Sequence, residues 1–164
     1  MVEGKKIAAI VLAAGRGSRM NSDIPKQFIC VNGYPLLYYS LKAFEDSVVD
    51  EVVLVTGEGS VGFCQTNFVE KYHFKKVTSV VQGGSERFLS VYEGLKNCPL
   101  ADYVLIHDGA RPMLSVESIA KMANAVVEYQ SCAMAVRAKD TIKIADETEY
   151  VKETPDRNVV WQMQ

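Results

Sequence analysis

Residues 7–27, reading IAAIVLAAGRGSRMNSDIPKQ, restrict the fold more than any other part of the chain. The run from Ile7 to Leu12 is continuously apolar and rich in β-branched residues, as expected of a strand buried on both faces. It stops abruptly at Gly15-Arg16-Gly17-Ser18-Arg19, and Pro25-Lys26-Gln27 follows shortly after. A buried strand that delivers a small-residue loop with fixed positive charge is how a backbone comes close to phosphate. The stretch therefore predicts a nucleotide-handling α/β enzyme.

The rest of the chain repeats the alternation. Apolar runs at Glu51 to Thr56, Val77 to Val81, Tyr103 to His107 and Cys132 to Val136 predict further strands. Between them, Leu37, Leu41 and Phe44 share one helical face, and Val61 to Tyr72 is a weaker helix interrupted by Gly62. Phe88, Val91, Tyr92 and Leu95 line up on a third helix. Ser115 to Tyr129 has Ser115 as N-cap, Ser118 at the third helical position, and Ile119, Met122, Ala123 and Val126 facing inward. This order predicts an α/β fold with a mostly parallel sheet and helices on both faces. A nucleotide-binding core over residues 1–136 is followed by a β-arm over residues 137–161. In the arm, Thr141 to Ile144 is expected to pair with Val159 to Trp161, and an isolated ribbon of that kind needs a partner to pack against. The abrupt ending at Gln164 predicts that the natural chain continues.

At 164 residues and 48% hydrophobic, the chain suits one domain with a sizeable core. A net charge of −2, from 18 basic and 20 acidic residues, argues against a general nucleic-acid or membrane-surface binder. Lys5 and Lys6 before IAAIVLAA imitate a signal peptide, but eight apolar residues leading straight into GRGSR read as a first core strand. Nothing approaches the ~18 apolar residues of a membrane span. Cys30, Cys64, Cys98 and Cys132 recur every 34 residues, yet their flanks share nothing, so the spacing is no repeat. Without a CxxC pair, zinc is disfavoured and reduced thiols in a cytoplasm are expected.

Three loops at the predicted carboxyl ends of the strands carry the chemistry. In the first, Met20 stands where a dinucleotide-binding GxGxxG would end in glycine, and no Gly-Lys-Ser/Thr is present. Main-chain N–H groups of this glycine-rich loop, with Arg19 and Lys26 to neutralise charge on the phosphoryl oxygens, suit a triphosphate instead. In the second, Gln82-Gly83-Gly84-Ser85-Glu86-Arg87, paired glycines permit close approach to a flat base and Ser90 supplies a hydroxyl. A plain strand-to-helix turn capped by Ser85 is the alternative. In the third, His107-Asp108-Gly109-Ala110-Arg111-Pro112, an aspartate at a strand end is placed to hold Mg²⁺ through one oxygen. An Asp108–Arg111 surface pair is the alternative there. His107 and His73 read as structural.

Together LAAGRGSRM with PKQF, GGSER with Ser90, HDGARP, and KDTIK with DRNVVW resemble the 2-C-methyl-D-erythritol 4-phosphate cytidylyltransferase family, from Leu12 to Trp161. The resemblance implies a Rossmann-like nucleotidyltransferase fold, CTP as substrate, Mg²⁺ as cofactor, and a homodimer joined by the arm. It implies that Arg19 and Lys26 stabilise the pentavalent α-phosphate, and that Ala13, Ala14, Gly15, Gly84 and Ser90 cradle CTP. Asp108, with Ala110 and Arg111, would meet the ribose, the metal and the second substrate. Thr141 and Arg157 would reach the methylerythritol phosphate across the dimer. It also implies a longer family chain, with an Asp and a Lys beyond Gln164 that complete the substrate site. Ribitol 5-phosphate cytidylyl transfer is the close alternative. A non-catalytic nucleotide-binding or dimerisation module is the alternative of another class, and an NAD-dependent oxidoreductase a remote third.

Overall fold

The computed structural model describes residues 1–15 and 24–163. Its centre is β1 (Ile7–Ala13), whose residues are nearly all buried. β1 pairs in parallel on one side with β4 (Glu51–Thr56) and on the other with β6 (Tyr103–Asp108). β5 (Val77–Gln82) adds to β4, also in parallel, giving the sheet order β5-β4-β1-β6. All strands therefore point the same way, and their carboxyl ends share one edge.

Successive residues of a strand face opposite sides of the sheet, so β1 feeds two cores. Ile7, Ala9 and Val11 join Val52 and Leu54 of β4 against Leu37, Leu41 and Phe44 of α1 (Leu36–Glu45). Ile119 and Ala123 of α4 (Val116–Tyr129) and Phe68 close the same core. Phe68 lies on a π-helical stretch, Gln65–Glu70, that continues α2 (Val61–Cys64), so the weak helix predicted there exists but is irregular. On the other face Ala8, Ile10, Val53 and Val55 pack with Cys98 beneath α3 (Arg87–Leu95). Full burial of each large aliphatic side chain stabilises the fold by roughly 1.5–3 kcal/mol. Ser115 Oγ accepts from the Ser118 N–H at 3.1 Å and caps α4 as expected.

Four expectations need amendment. The stripe on α3 does not face the sheet: Phe88 is 68% and Tyr92 58% exposed, and Leu95 is exposed too. The residues turned inward are Ser90 and Gly94, one helical turn apart. A Cβ at Gly94 would stand 2.6 Å from Ile10 Cγ2, so only small residues let this helix sit close to β1. The strand expected at Cys132 starts only at β7 (Ala135–Arg137), which lies outside the parallel sheet. Asn32 and Gly33, both at positive φ (51° and 86°), close a small hairpin between β2 (Cys30–Val31) and β3 (Tyr34–Pro35). Asn-Gly is the strongest short-range hairpin signal, and the strand reading passed over it.

The fourth amendment concerns residues 131–164, which form a compact unit of their own, distinct from residues 1–130. Thr141 to Ile144 does not pair with Val159 to Trp161. Instead β8 (Ile144–Ala145) pairs with β9 (Val151–Glu153), and β10 (Trp161–Met163) pairs antiparallel with β7. The nearer register follows from Asp146, whose Oδ1 accepts from Thr148 N, Thr148 Oγ and Tyr150 N and folds the chain back at once. β10 is held to β7 at Trp161, over whose ring the Arg137 guanidinium lies 5.0 Å from the centroid.

Candidate active site

The three loops singled out in the sequence meet in one cleft of about 420 Å³ at the carboxyl edge of the sheet. Its lining comes from the end of β1, the turn before α1, the β5–α3 junction and the end of β6. Of the expected site residues, Ala13, Ala14, Gly15, Lys26, Gly84, Ser90, Asp108, Ala110 and Arg111 line it. Arg19 and Gly17 lie outside the described residues. Thr141 and Arg157 belong to the second unit; both are exposed, and Arg157 donates from Nη1 to the Lys139 carbonyl at 3.5 Å.

Lys26 opens a short 3₁₀ turn, Lys26–Phe28, that places its side chain in the cleft with no ion pair among the described residues. The turn is held by its neighbour. Gln27 is buried, and its Nε2 donates to the Ala13 carbonyl at 2.7 Å. That bond joins the far side of the first loop to the end of β1.

The paired glycines serve the protein's own packing. A Cβ on Gly83 would lie 2.5 Å from Ser90 Oγ and 3.0 Å from Ala14 Cβ, and one on Gly84 would lie 2.4 Å from Leu89 Cβ. Neither has the positive φ that would demand glycine for its backbone. The junction thus presses the first turn of α3 against the β1 loop and leaves Ser90 buried, its Oγ 3.4 Å from the Gly84 carbonyl. Ser85 does not cap α3. The residue at the N-cap is Glu86, with no side-chain hydrogen bond.

Asp108 ends β6 between two guanidinium groups. Arg87 donates to Oδ1 from Nη2 at 3.0 Å and from Nε at 3.3 Å, and Arg111 Nε stands 3.2 Å from Oδ2. The Asp108–Arg111 pair read as an alternative therefore exists, with Arg87 as an additional partner. Exposed pairs of this kind contribute about 0–1 kcal/mol to folding. The loop is fixed from below instead. Buried Ser40 of α1 donates its hydroxyl to the carbonyls of Gly109 at 3.1 Å and Arg111 at 3.3 Å. His107 Nε2 lies 3.2 Å from the Arg111 carbonyl, and its ring stands edge-on to Phe44. Burial pushes its pKa below the usual histidine value, which favours a neutral ring donating to that carbonyl. His107 is structural, as read from the sequence.

Among the described lining residues Lys26, Arg87 and Arg111 outnumber the carboxylates Glu86 and Asp108, so the cleft attracts anions although the chain as a whole is slightly acidic. No group of three or more His, Cys, Asp or Glu among the described residues is arranged to enclose a metal. Asp108 fits the way Mg²⁺ is commonly held, through one carboxylate with phosphate oxygens completing the shell. Sequence reading missed Gln27, Ser40 and Arg87. A serine inside the inward stripe of α1 and an arginine at the first helical position after a Gly-Gly turn were the available signals.

The model of the 2-C-methyl-D-erythritol 4-phosphate cytidylyltransferase family matches residues 7–164. The chain belongs to this family. It is 45% identical over 160 residues to the enzyme of that name from Lachnoclostridium phytofermentans, covering 98% of this chain and 69% of the relative. With the enzyme of that name from Lachnospira eligens it shares 48% identity over 157 residues, covering 95% and 69% respectively. Among solved structures, 4-diphosphocytidyl-2C-methyl-D-erythritol synthase from Anaerococcus prevotii superimposes with a TM-score of 0.85 at 34% identity, over 99% of this chain and 69% of that one. The cytidylyltransferase of Thermus thermophilus gives 0.69 at 26%, over 97% and 68%. The expected α/β nucleotidyltransferase fold is thereby established. No helix of the described residues is long and apolar enough to cross a membrane.

Proposed function

We propose that this enzyme transfers CMP from CTP to 2-C-methyl-D-erythritol 4-phosphate and releases pyrophosphate. The observation that carries the reading is the convergence of three separate loops, with Lys26, Arg87 and Arg111, on one cleft at the carboxyl edge of a parallel sheet. An oxygen of the sugar phosphate attacks the α-phosphorus of CTP. The bond from that phosphorus to the bridging oxygen breaks, and pyrophosphate leaves with the electron pair. Charge grows on the α-phosphoryl oxygens, where Arg19 and Lys26 stabilise it. Main-chain groups of Ala13, Ala14, Gly15, Gly17 and Gly84, with Ser90, cradle the nucleotide, and Ala110 and Arg111 border it. Asp108 is the residue that holds Mg²⁺, which when bound offsets the triphosphate's charge. No strong base is needed, because positioning and charge stabilisation carry this type of transfer.

The 137–161 arm joins two copies into a homodimer, with Thr141 and Arg157 contributing to sugar-phosphate binding, and the enzyme works in the cytoplasm. Pyrophosphate release, measured with CTP, Mg²⁺ and either methylerythritol phosphate or ribitol 5-phosphate, tests the reading. Turnover with the first is expected. A preference for ribitol 5-phosphate contradicts the substrate, and CTP binding without turnover makes the chain a non-catalytic module. A concentration-independent monomer mass in sedimentation would remove the dimer.

A further inference from the structure

The Asp108 carboxylate, assigned above to the metal, is already engaged at both oxygens, by Arg87 on Oδ1 and by Arg111 on Oδ2. The two arginines differ in how they are held. Arg111 belongs to the same turn as Asp108: its N–H donates to the Asp108 carbonyl at 3.0 Å, and its own carbonyl is gripped by Ser40 and His107. Arg87 comes from a separate element, at the first position of α3, and among the described residues its side chain meets that turn only at the Asp108 carboxylate.

We propose that Arg87 is a positioning residue that exchanges Asp108 for the incoming triphosphate, so that Oδ1 is released to the metal only when nucleotide is present. The inference rests on the cleft being a CTP and Mg²⁺ site. A guanidinium fork on Oδ1 puts positive charge beside the position a metal ion would take, so the free site resists a lone cation. The contact is also easily surrendered. The side chains of Arg87 and Asp108 are 64% and 37% exposed, so water screens the pair. A phosphate group offers the same fork parallel acceptors and more negative charge than a carboxylate does. Transfer of Arg87 therefore follows the nucleotide's charge, and metal and nucleotide bind cooperatively through one side chain.

The coupling is measurable without turnover. Mn²⁺ serves as the probe, its free concentration read by electron paramagnetic resonance, with and without CTP. Arg87→Ala is expected to bind Mn²⁺ alone about tenfold tighter than wild type and to lose a similar factor of the enhancement that CTP confers. Lys26→Ala removes one cleft charge without touching Asp108 and is expected to leave binding of Mn²⁺ alone within about twofold of wild type. An unchanged Mn²⁺ affinity in Arg87→Ala overturns the exchange, as does equal tightening in Lys26→Ala, which reduces the effect to overall charge. Absence of CTP binding by wild type, read separately by calorimetry, removes the underlying reading instead. Retention of Mn²⁺–CTP binding in Asp108→Asn removes the metal assignment, and the exchange with it.

Discussion

Residues 1–130 and 131–164 are built on opposite principles. In the first unit, β1 and β4 bring Ile7, Ile10, Val53 and Leu54 to complete burial, and helices close both faces. In the second, Ala138 is the only buried apolar residue among those described, while Val136, Trp161 and Met163 are exposed. Its two ribbons are kept in shape by local devices: the Asp146 turn, the Arg137–Trp161 contact, and Asp156 accepting from the Asn158 N–H at 2.9 Å. Two-stranded ribbons without a covered face are marginal in water. Stability therefore resides in the first unit, and the second presents surface.

The contrast is easiest to break by truncating one side chain in each unit. Leu54→Ala is expected to cost about 2–5 kcal/mol, whereas Val136→Ala should stay within about 0.5 kcal/mol. Urea denaturation measures both, and equal losses would mean that residues 131–164 carry a core after all. Kinetics sharpen the division next. Lys26→Ala should lower kcat by about 10²–10³-fold with an unchanged melting temperature, because its charge acts in the transition state. Arg157→Ala should chiefly raise KM for the sugar phosphate, by roughly tenfold, with CTP affinity kept. A matching profile for the two variants would dissolve the separation of roles.

The smallest effect lies at the opposite end of the sheet. Burial raises the pKa of Asp50, but the Ile7 N–H donated to Oδ2 at 2.8 Å and the Met1 ammonium outweigh it and leave the pKa below its usual value. A carboxyl whose folded pKa is depressed contributes stability above its unfolded pKa and loses it as pH falls through the folded one. Asp50→Asn should therefore flatten the decline of stability below about pH 4 and leave its slope near neutrality unaltered. An identical acid limb in both proteins would show that this bond adds nothing.

How much of this was legible beforehand depends on the range of each interaction. β1 and β4 announce themselves because strands buried almost throughout are nearly continuous apolar runs, and the partly buried edge strands β5 and β6 still show as shorter apolar runs. The Ser115 cap is equally local, its partner only three residues away. Ser40 gave no such sign, since the carbonyls it serves lie 69 and 71 residues further along the chain. Arg87 and Asp108, 21 residues apart, meet only because β5 and β6 end on the same edge of the sheet. The orientation of α3 was misread for a related reason. Its large apolar residues mark a stripe, but the close approach to β1 selects for the smallest side chains, and Gly94 and Ser90 won. In the arm, strands of two or three residues carry too little alternation to define a register.

The Gln27–Ala13 bond has a further meaning for how such an enzyme diversifies. It fastens the downstream end of the first loop to the strand from which that loop departs, so both abutments stay put whatever spans them. Lengthening the span between them should disturb the sheet little, because closing a somewhat longer loop adds little entropy. A single buried amide thereby keeps Lys26 at its station in the cleft.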